Sequence, residues 1–485
     1  MRRLGGLLWR WLRRGVVFLA VLLVALLGIR VIEAERGQPL RPWHTVVPPE
    51  LDAAAIDRAD WPAWLRAEDA AFAAVRAKVT DQLAPEDRVV ANRYFAGSPL
   101  YTPGFARDWN RSFLLEPAGP PRGAVVLLHG LTDAPYSLRH VAEFYRARGF
   151  LALGMRMPGH GTVPAGLTAA VWEDWAAATR LAVRTARARV PAPLPLHLVG
   201  YSNGGALATQ YALDALENPA LPRADRVVLL SPMIGVTEFA RFSGVAALPA
   251  LLPRFARTAW LDVLPEFNPF KYNSFPANAG RQSWRLSSTL QAQIARLHAA
   301  GRLAEMPPVL AFQSVADATV STPAVVSALF ARLPANGSEL VLFDLNRSAR
   351  IESLVAPGAL GLLEGLLPPA PRTWRATVVS NAAPEAEAVV ARSTPPGAAA
   401  EMAAPLGLDW PREMYSLAHI ALPFPLSDGL YGLRPDPADH FGARLGALAP
   451  RGERGVLVVG IDLLMRASSN PFFPYVLERI GAGLP

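Results

Sequence analysis

One stretch limits the folds open to this chain more than any other. Leu196-His197-Leu198-Val199 is an apolar run that meets the pentapeptide Gly200-Tyr201-Ser202-Asn203-Gly204, and the small-residue run Gly205 to Leu213 follows without a break. That order reads as strand, sharp turn and helix. A serine on such a turn sits in a strained backbone conformation with its hydroxyl lifted above the sheet edge. Side chains at Gly200 and Gly204 would collide with the neighbouring strand and helix. The helix N-terminus beneath Ser202 favours developing negative charge. Ser202 is therefore a candidate nucleophile, in preference to a structural turn serine.

The chain on either side alternates in the same way. Gly123–Gly130 is a continuous apolar run, as expected of a strand buried on both faces. A helix is predicted over 137–148 with Gly149 as its stop, then a strand over 150–155 and a helix from about 171 to 187. The strand to Ser202 and its helix come next, followed by a strand over 226–232. Alternating strands and helices predict an α/β fold, a mostly parallel sheet with helices on both faces and right-handed crossovers. Residues 233–306 break the rhythm with Trp260, Phe267, Phe270, Tyr272, Phe275 and Trp284 among prolines and short helices, and read as an inserted cap. Strands resume at 308–312 and 339–343. A second insertion, about 346–412, is Pro/Ala-rich with one plausible strand at 376–379.

The N-terminus adds a membrane element. Gly15–Ile29 is uninterrupted and apolar, Val31 and Ile32 extend it, and Arg2, Arg3, Arg10, Arg13 and Arg14 precede it. With the apolar residues before it, the run approaches the roughly 20 residues of a spanning helix, and the arginines place the N-terminus in the cytoplasm. The expectation is a single-pass anchor with the rest of the chain on the outer side. A cleaved signal peptide followed by secretion is the alternative, disfavoured because no good small-x-small site follows the run. Three regions result: 1–33 as basic region and anchor, 34–121 as linker and N-terminal arm, and 122–485 as the main domain with both insertions. In the arm, Pro39, Pro42, Pro48 and Pro49 mark a linker, a helix is expected around 61–82, and Arg93–Phe95 and Arg111–Leu115 are candidate first strands.

Composition excludes several classes. There are no cysteines among the 485 residues, so disulfides and thiolate metal sites are ruled out. The net charge of +8 rests almost wholly on arginine, with Lys78 and Lys271 the only lysines. Outside the N-terminus it forms no dense cluster, as a nucleic-acid binder would require. No nucleic-acid partner, metal or cofactor is expected.

A serine nucleophile needs a base, and the base needs an orienting carboxylate. On this kind of fold the chain order is serine, acid, histidine. Asp317 stands at the end of the strand after the cap and is the candidate acid, with Asp344, at the end of the next strand, as fallback. Of the eight histidines only His298, His419 and His440 follow Ser202. His298 precedes the acid, and His440 sits in a polar turn near the end. His419 lies on a loop after the last strand and is the candidate base. The oxyanion donors are expected at the N–H of Asn203 and of Leu131, behind His129-Gly130. His129 and His160 are then turn residues, and His197 is structural.

Leu128-His129-Gly130-Leu131-Thr132-Asp133, Pro158-Gly159-His160-Gly161, Gly200-Tyr201-Ser202-Asn203-Gly204 and Ser314-Val315-Ala316-Asp317 resemble the α/β-hydrolase superfamily, in its monoacylglycerol-lipase and serine-aminopeptidase-like branch. The resemblance covers about 123–320 and, beyond that, only His419. It implies an α/β-hydrolase fold and cofactor-free hydrolysis of a small-molecule or lipid ester by a Ser-Asp-His triad. The expected activity is that of a membrane-anchored carboxylesterase or lipase-like enzyme. A peptidase or acyltransferase on the same fold, or an inactive membrane-tethered binding module, are the alternatives. In this branch the histidine follows the last strand closely, whereas here 346–412 intervenes.

Overall fold

The computed structural model describes residues 2–236, 243–349, 361, 363–412, 414–447 and 468–485. Parts of the expected cap (237–242) and of the second insertion (350–360 and 362) lie outside the described residues. The strands are β1 (Phe113–Leu115), β2 (Gly123–Leu128), β3 (Phe150–Met155), β4 (Leu196–Tyr201), β5 (Arg226–Leu230), β6 (Trp260–Asp262), β7 (Phe275–Pro276), β8 (Val309–Ser314), β9 (Glu339–Phe343), β10 (Arg375–Asn381), β11 (Ala388–Thr394) and β12 (Met402–Asp409). All but β6 and β7 form one sheet in the order β1-β3-β2-β4-β5-β8-β9-β10-β11-β12. From β3 to β10 every neighbour is parallel, and β1, β11 and β12 are antiparallel additions at the two edges.

The strand pattern explains the two-sided core. Along β2, Ala124, Val126 and Leu128 face one hydrophobic cluster and Val125 and Leu127 the other, which is the period of two that a pleated strand imposes. Helices Trp172–Arg189, Asn203–Glu217 and Ala277–Ala299 cover the first face. Helices Arg139–Arg146 and Phe473–Gly481 cover the second. Each fully buried Val or Leu removes about 1.5–3 kcal/mol of apolar exposure, so a continuous apolar strand is stable only between two such layers.

Several expectations need correction. The proline-marked segment after the apolar helix is not a loose linker. Trp43 and His44 are buried in it, and Glu50 pairs with fully buried Arg156 at 2.7 and 2.9 Å. Glu68, on the helix Trp61–Lys78, takes the Nε of Arg156 at 2.9 Å. Arg93–Phe95 is a turn, not a strand, because Arg93 is spent on the Asn268 carbonyl at 2.9 Å and Tyr94 stacks on Trp43. The cap is built on a 23-residue helix, Ala277–Ala299, where only short helices were expected. The second insertion supplies three strands in place of one. The helix Phe473–Gly481, which the sequence pattern did not reveal, closes the second face through Phe472 stacked on Phe343.

The N-terminal helix runs Arg2–Arg36. Its segment Trp11–Arg36 is long and apolar enough to cross a membrane: the most apolar 18-residue window within it has a mean hydropathy of 2.8, and none of that window is buried.

Candidate active site

Ser202 occupies the turn between β4 and the helix Asn203–Glu217, with φ 54° and ψ −116°. A left-handed backbone is costly for a non-glycine residue, and the surroundings hold it there. The Ser202 N–H donates to Leu230 O at 3.0 Å, and its carbonyl accepts from Gly205, Ala206 and Met233. The flanking glycines are obligatory. A Cβ on Gly200 would lie 2.3 Å from Gly204 O, and one on Gly204 would lie 1.9 Å from Leu128 O. Helix and strands therefore approach as closely as the pentapeptide requires.

The structure brings three of the expected residues together. His419 Nε2 lies 2.9 Å from Ser202 Oγ, and His419 Nδ1 lies 2.8 Å from Asp317 Oδ2. Asp317 follows β8, and its side chain is fully buried. It also accepts from the N–H of Thr319 at 2.8 Å and of Val320 at 3.1 Å, and from Gln313 Nε2 at 3.1 Å. Burial pushes its carboxyl up, yet the charge and hydrogen bond of His419, with those two backbone donors, hold it below the usual carboxylate range. Tyr201 stacks on the His419 ring with centroids 5.4 Å apart. A hydroxyl, an imidazole and a carboxylate in this chain can activate the hydroxyl and carry its proton to a leaving group.

The fallbacks lie elsewhere. Asp344 is spent on Arg347 at 3.2 Å. His298 is exposed at the end of the cap helix, and His440 is exposed, with its Nδ1 accepting from Gly442. The long insertion before His419 is neutralised by its own neck: Asn346 N donates to Tyr415 O at 2.7 Å, and Asn346 Nδ2 to Met414 O at 2.7 Å. The chain leaves the end of β9 and returns to the same place.

Asn203 opens the helix, so its N–H is among those a helix leaves without an internal acceptor. Leu131 lies on the loop after β2 that borders Ser202, where a Cβ on Gly130 would sit 3.3 Å from the serine Cβ. The next residue, Thr132, has φ 59°. Two cap residues hold this loop. Tyr272 N donates to Thr132 O at 2.7 Å, and Lys271 Nζ lies 3.0 Å from Thr132 Oγ1 and 3.5 Å from Leu131 O. Neither was expected from the sequence. The one signal for Lys271 is that it is a lysine in a chain that otherwise uses arginine almost throughout.

His129 and His160 are buried beneath the same loop. His129 Nδ1 pairs with Gly130 O at 2.8 Å while its Nε2 accepts from Met157 N at 3.0 Å. Burial lowers its pKa to about 3. Both are structural, as is His197, which faces Tyr145 at 3.1 Å.

Above Ser202 lies a cavity of about 780 Å³, mostly apolar, whose wall includes Leu131, Met233, Val236, Leu264, Phe267, Phe275 and Val320. Of the cap aromatics, Phe267, Tyr272 and Phe275 line it. Trp260 and Phe270 belong to the packing instead: Trp260 meets His44, and Phe270 stacks on Tyr136 with centroids 4.0 Å apart.

The sheet order, the strand–serine–helix turn and the cavity above it are those of an α/β-hydrolase fold. Residues 119–345 match the family described as Serine aminopeptidase, S33 (Hydrolase_4). Among curated proteins, the thermostable monoacylglycerol lipase of Bacillus sp. (strain H-257) is 24% identical over 218 residues, spanning 45% of this chain and 79% of the relative. Among solved structures, a soluble variant of monoglyceride lipase from Saccharomyces cerevisiae aligns with 14% identity and a TM-score of 0.39 over 48% of this chain and 82% of that one. The monoacylglycerol lipase of Paleococcus ferrophilus aligns with 19% identity and a TM-score of 0.35 over 48% and 88%. The likeness is to the monoacylglycerol-lipase and serine-aminopeptidase-like branch that the sequence motifs resemble.

Proposed function

We propose that this protein is a membrane-anchored carboxylester hydrolase that cleaves esters with an apolar acyl chain through an acyl-enzyme. Ser202 attacks the acyl carbonyl as His419 takes its proton, and Asp317 holds the imidazole and stabilises its charged form. The N–H groups of Asn203 and Leu131 receive the oxyanion. The proton on His419 then passes to the departing alcohol, and water repeats the sequence in reverse to free the acid. The observation that carries this reading is the continuous Ser202–His419–Asp317 hydrogen-bond chain at the floor of an apolar cavity. The similarity to a monoacylglycerol lipase supports a lipid ester as substrate.

The test is covalent labelling. A fluorophosphonate should modify the folded protein at Ser202, located by mass spectrometry, and the Ser202→Ala variant should stay unlabelled. Labelling elsewhere, or none, refutes the reading. For the anchor, the arginines before the apolar helix favour a cytoplasmic N-terminus and a hydrolase domain on the outer side. A reporter fused after Arg36 should work only when it is one that functions outside the cytoplasm.

A further inference from the structure

The apolar N-terminal helix and the cap touch along one strip. Arg30, in the helix, donates to the carbonyl of Trp260. Just past the helix end, Arg257 Nη1 donates to Gly37 O at 2.6 Å, and the charge of Glu35 acts on Arg257. Arg30 to Gly37 is about 10 Å of helix rise, so cap residues 257–260 lie along the last two turns of the apolar helix.

The cap is apolar on its outside at the same place. Leu251 is 81% exposed, the highest value for a large apolar side chain among the described residues, and Leu252 is 60% exposed. Val245, Leu248 and Leu261 add to the same edge. Elsewhere in the folded body the exposed large apolar residues are single, as at Leu194, Met402 and Tyr415, or the pair Val89 and Val90, whereas five within residues 245–261 form a run, and such a run from one segment marks an interaction surface. Arg254 and Arg257 alternate with these leucines, and the adjoining end of the helix carries Arg30, which meets Trp260, and Arg36. Arginines beside an apolar edge suit the anionic and phosphate groups at a lipid surface. The edge is also the rim of the cavity, since Ala246, Leu261 and Leu264 are part of its wall.

We infer that the 245–261 edge of the cap sits in the leaflet that receives the end of the apolar helix, and that the cavity takes its ester sideways from that leaflet. This rests on the anchor and ester-hydrolase reading above. The occupant is the bilayer itself, because the helix that crosses it is what the edge adjoins. A soluble ester would reach Ser202 without using this edge, whereas an ester held in the bilayer would depend on it.

The chain has no cysteine, so Leu251→Cys offers a single thiol for an environment-sensitive fluorophore. The full-length protein is reconstituted in phosphatidylcholine–phosphatidylglycerol vesicles containing lipids spin-labelled on the acyl chain. The probe at 251 should shift to the blue and be quenched, while the same probe at Met402→Cys, exposed on β12, should report water. Water-like emission without quenching at 251 overturns the inference. In parallel, Leu251→Asp/Leu252→Asp in the full chain should turn over a vesicle-borne long-chain monoester at least tenfold more slowly, with hydrolysis of a soluble short-chain ester unchanged. Equal rates on both substrates in variant and parent also overturn it. If the parent protein hydrolyses neither ester, the hydrolase reading fails, and the fluorescence result still decides whether the edge meets lipid.

Discussion

The two nitrogens of His129 make a sharp demand on pH. Met157 donates its N–H to Nε2, and the Nδ1 proton goes to Gly130 O. Protonating Nε2 would set one N–H against another in a site with no exposure, so the folded imidazole stays neutral. Its folded pKa, about 3, lies below the ordinary 6.5. The unfolded chain binds the proton first, so this contribution to stability is complete above pH 6.5 and is lost as pH falls from there toward 3. At about 1.4 kcal/mol per pH unit, pH 5 removes roughly 2 kcal/mol. His44 is locked in the same way by the Arg41 N–H at 3.0 Å and adds a similar amount. Other groups act with the opposite sign: burial raises Glu68 and Glu266, which favours the folded state in acid. A difference measurement removes them. In His129→Gln the side-chain carbonyl can still accept from Met157, but it does not titrate. Urea unfolding of the full chain in nonionic detergent, followed by tryptophan fluorescence from pH 7 to 4.5, gives a slope of stability against pH. The variant slope should be smaller by about 1.4 kcal/mol per unit below pH 6. Identical slopes would refute the locked imidazole.

Further tests concern the site. Ser202→Ala and His419→Ala should each lower ester turnover by about 10³-fold or more, with the double variant little worse, because such groups act as a unit; His440→Ala should stay near the parent rate. Lys271→Met should lower kcat about tenfold through the oxyanion loop it holds, leave KM nearly unchanged and be partly rescued by Lys271→Arg; a pure KM effect would assign it to substrate binding. Phe267→Ala should shift the preferred acyl length in a chain-length series. Phe270→Ala should instead lower stability by about 3–5 kcal/mol, read by denaturant unfolding, since it deletes a buried ring.

What was legible in the sequence followed from burial and order. β2 and β3 are apolar end to end, and β4, β5, β8 and β9 are so but for His197, Arg226, Gln313, Ser314 and Glu339, because both faces are covered, and such runs need no alignment to find. Ser202, Asp317 and His419 came from position along that scaffold. β11 and β12 escaped because strands with one face open to solvent carry a weak pattern, and β12, at the edge, even contains Pro405, which a sheet accepts only there. The cap helix escaped because its surface carries Arg, Gln and Ser around a narrow apolar stripe. The clamp of Arg156 by Glu50 and Glu68, and the hold of Lys271 on the loop at Leu131, are side-chain meetings across 88 or more residues of chain. No local periodicity encodes those.

The neck at Asn346 and Tyr415 closes an excursion that itself supplies the last three strands of the sheet. Closing a longer excursion adds only about 0.6 kcal/mol for each doubling of its length, so once the neck is tied the cost of closure depends little on its size. The reach of His419 to Ser202 is then set by a two-residue suture, and strands can be gained or shed at the far margin of the sheet without retuning the chemistry. That margin is the natural place in this molecule for relatives to diverge in length, and for a foreign segment to be grafted.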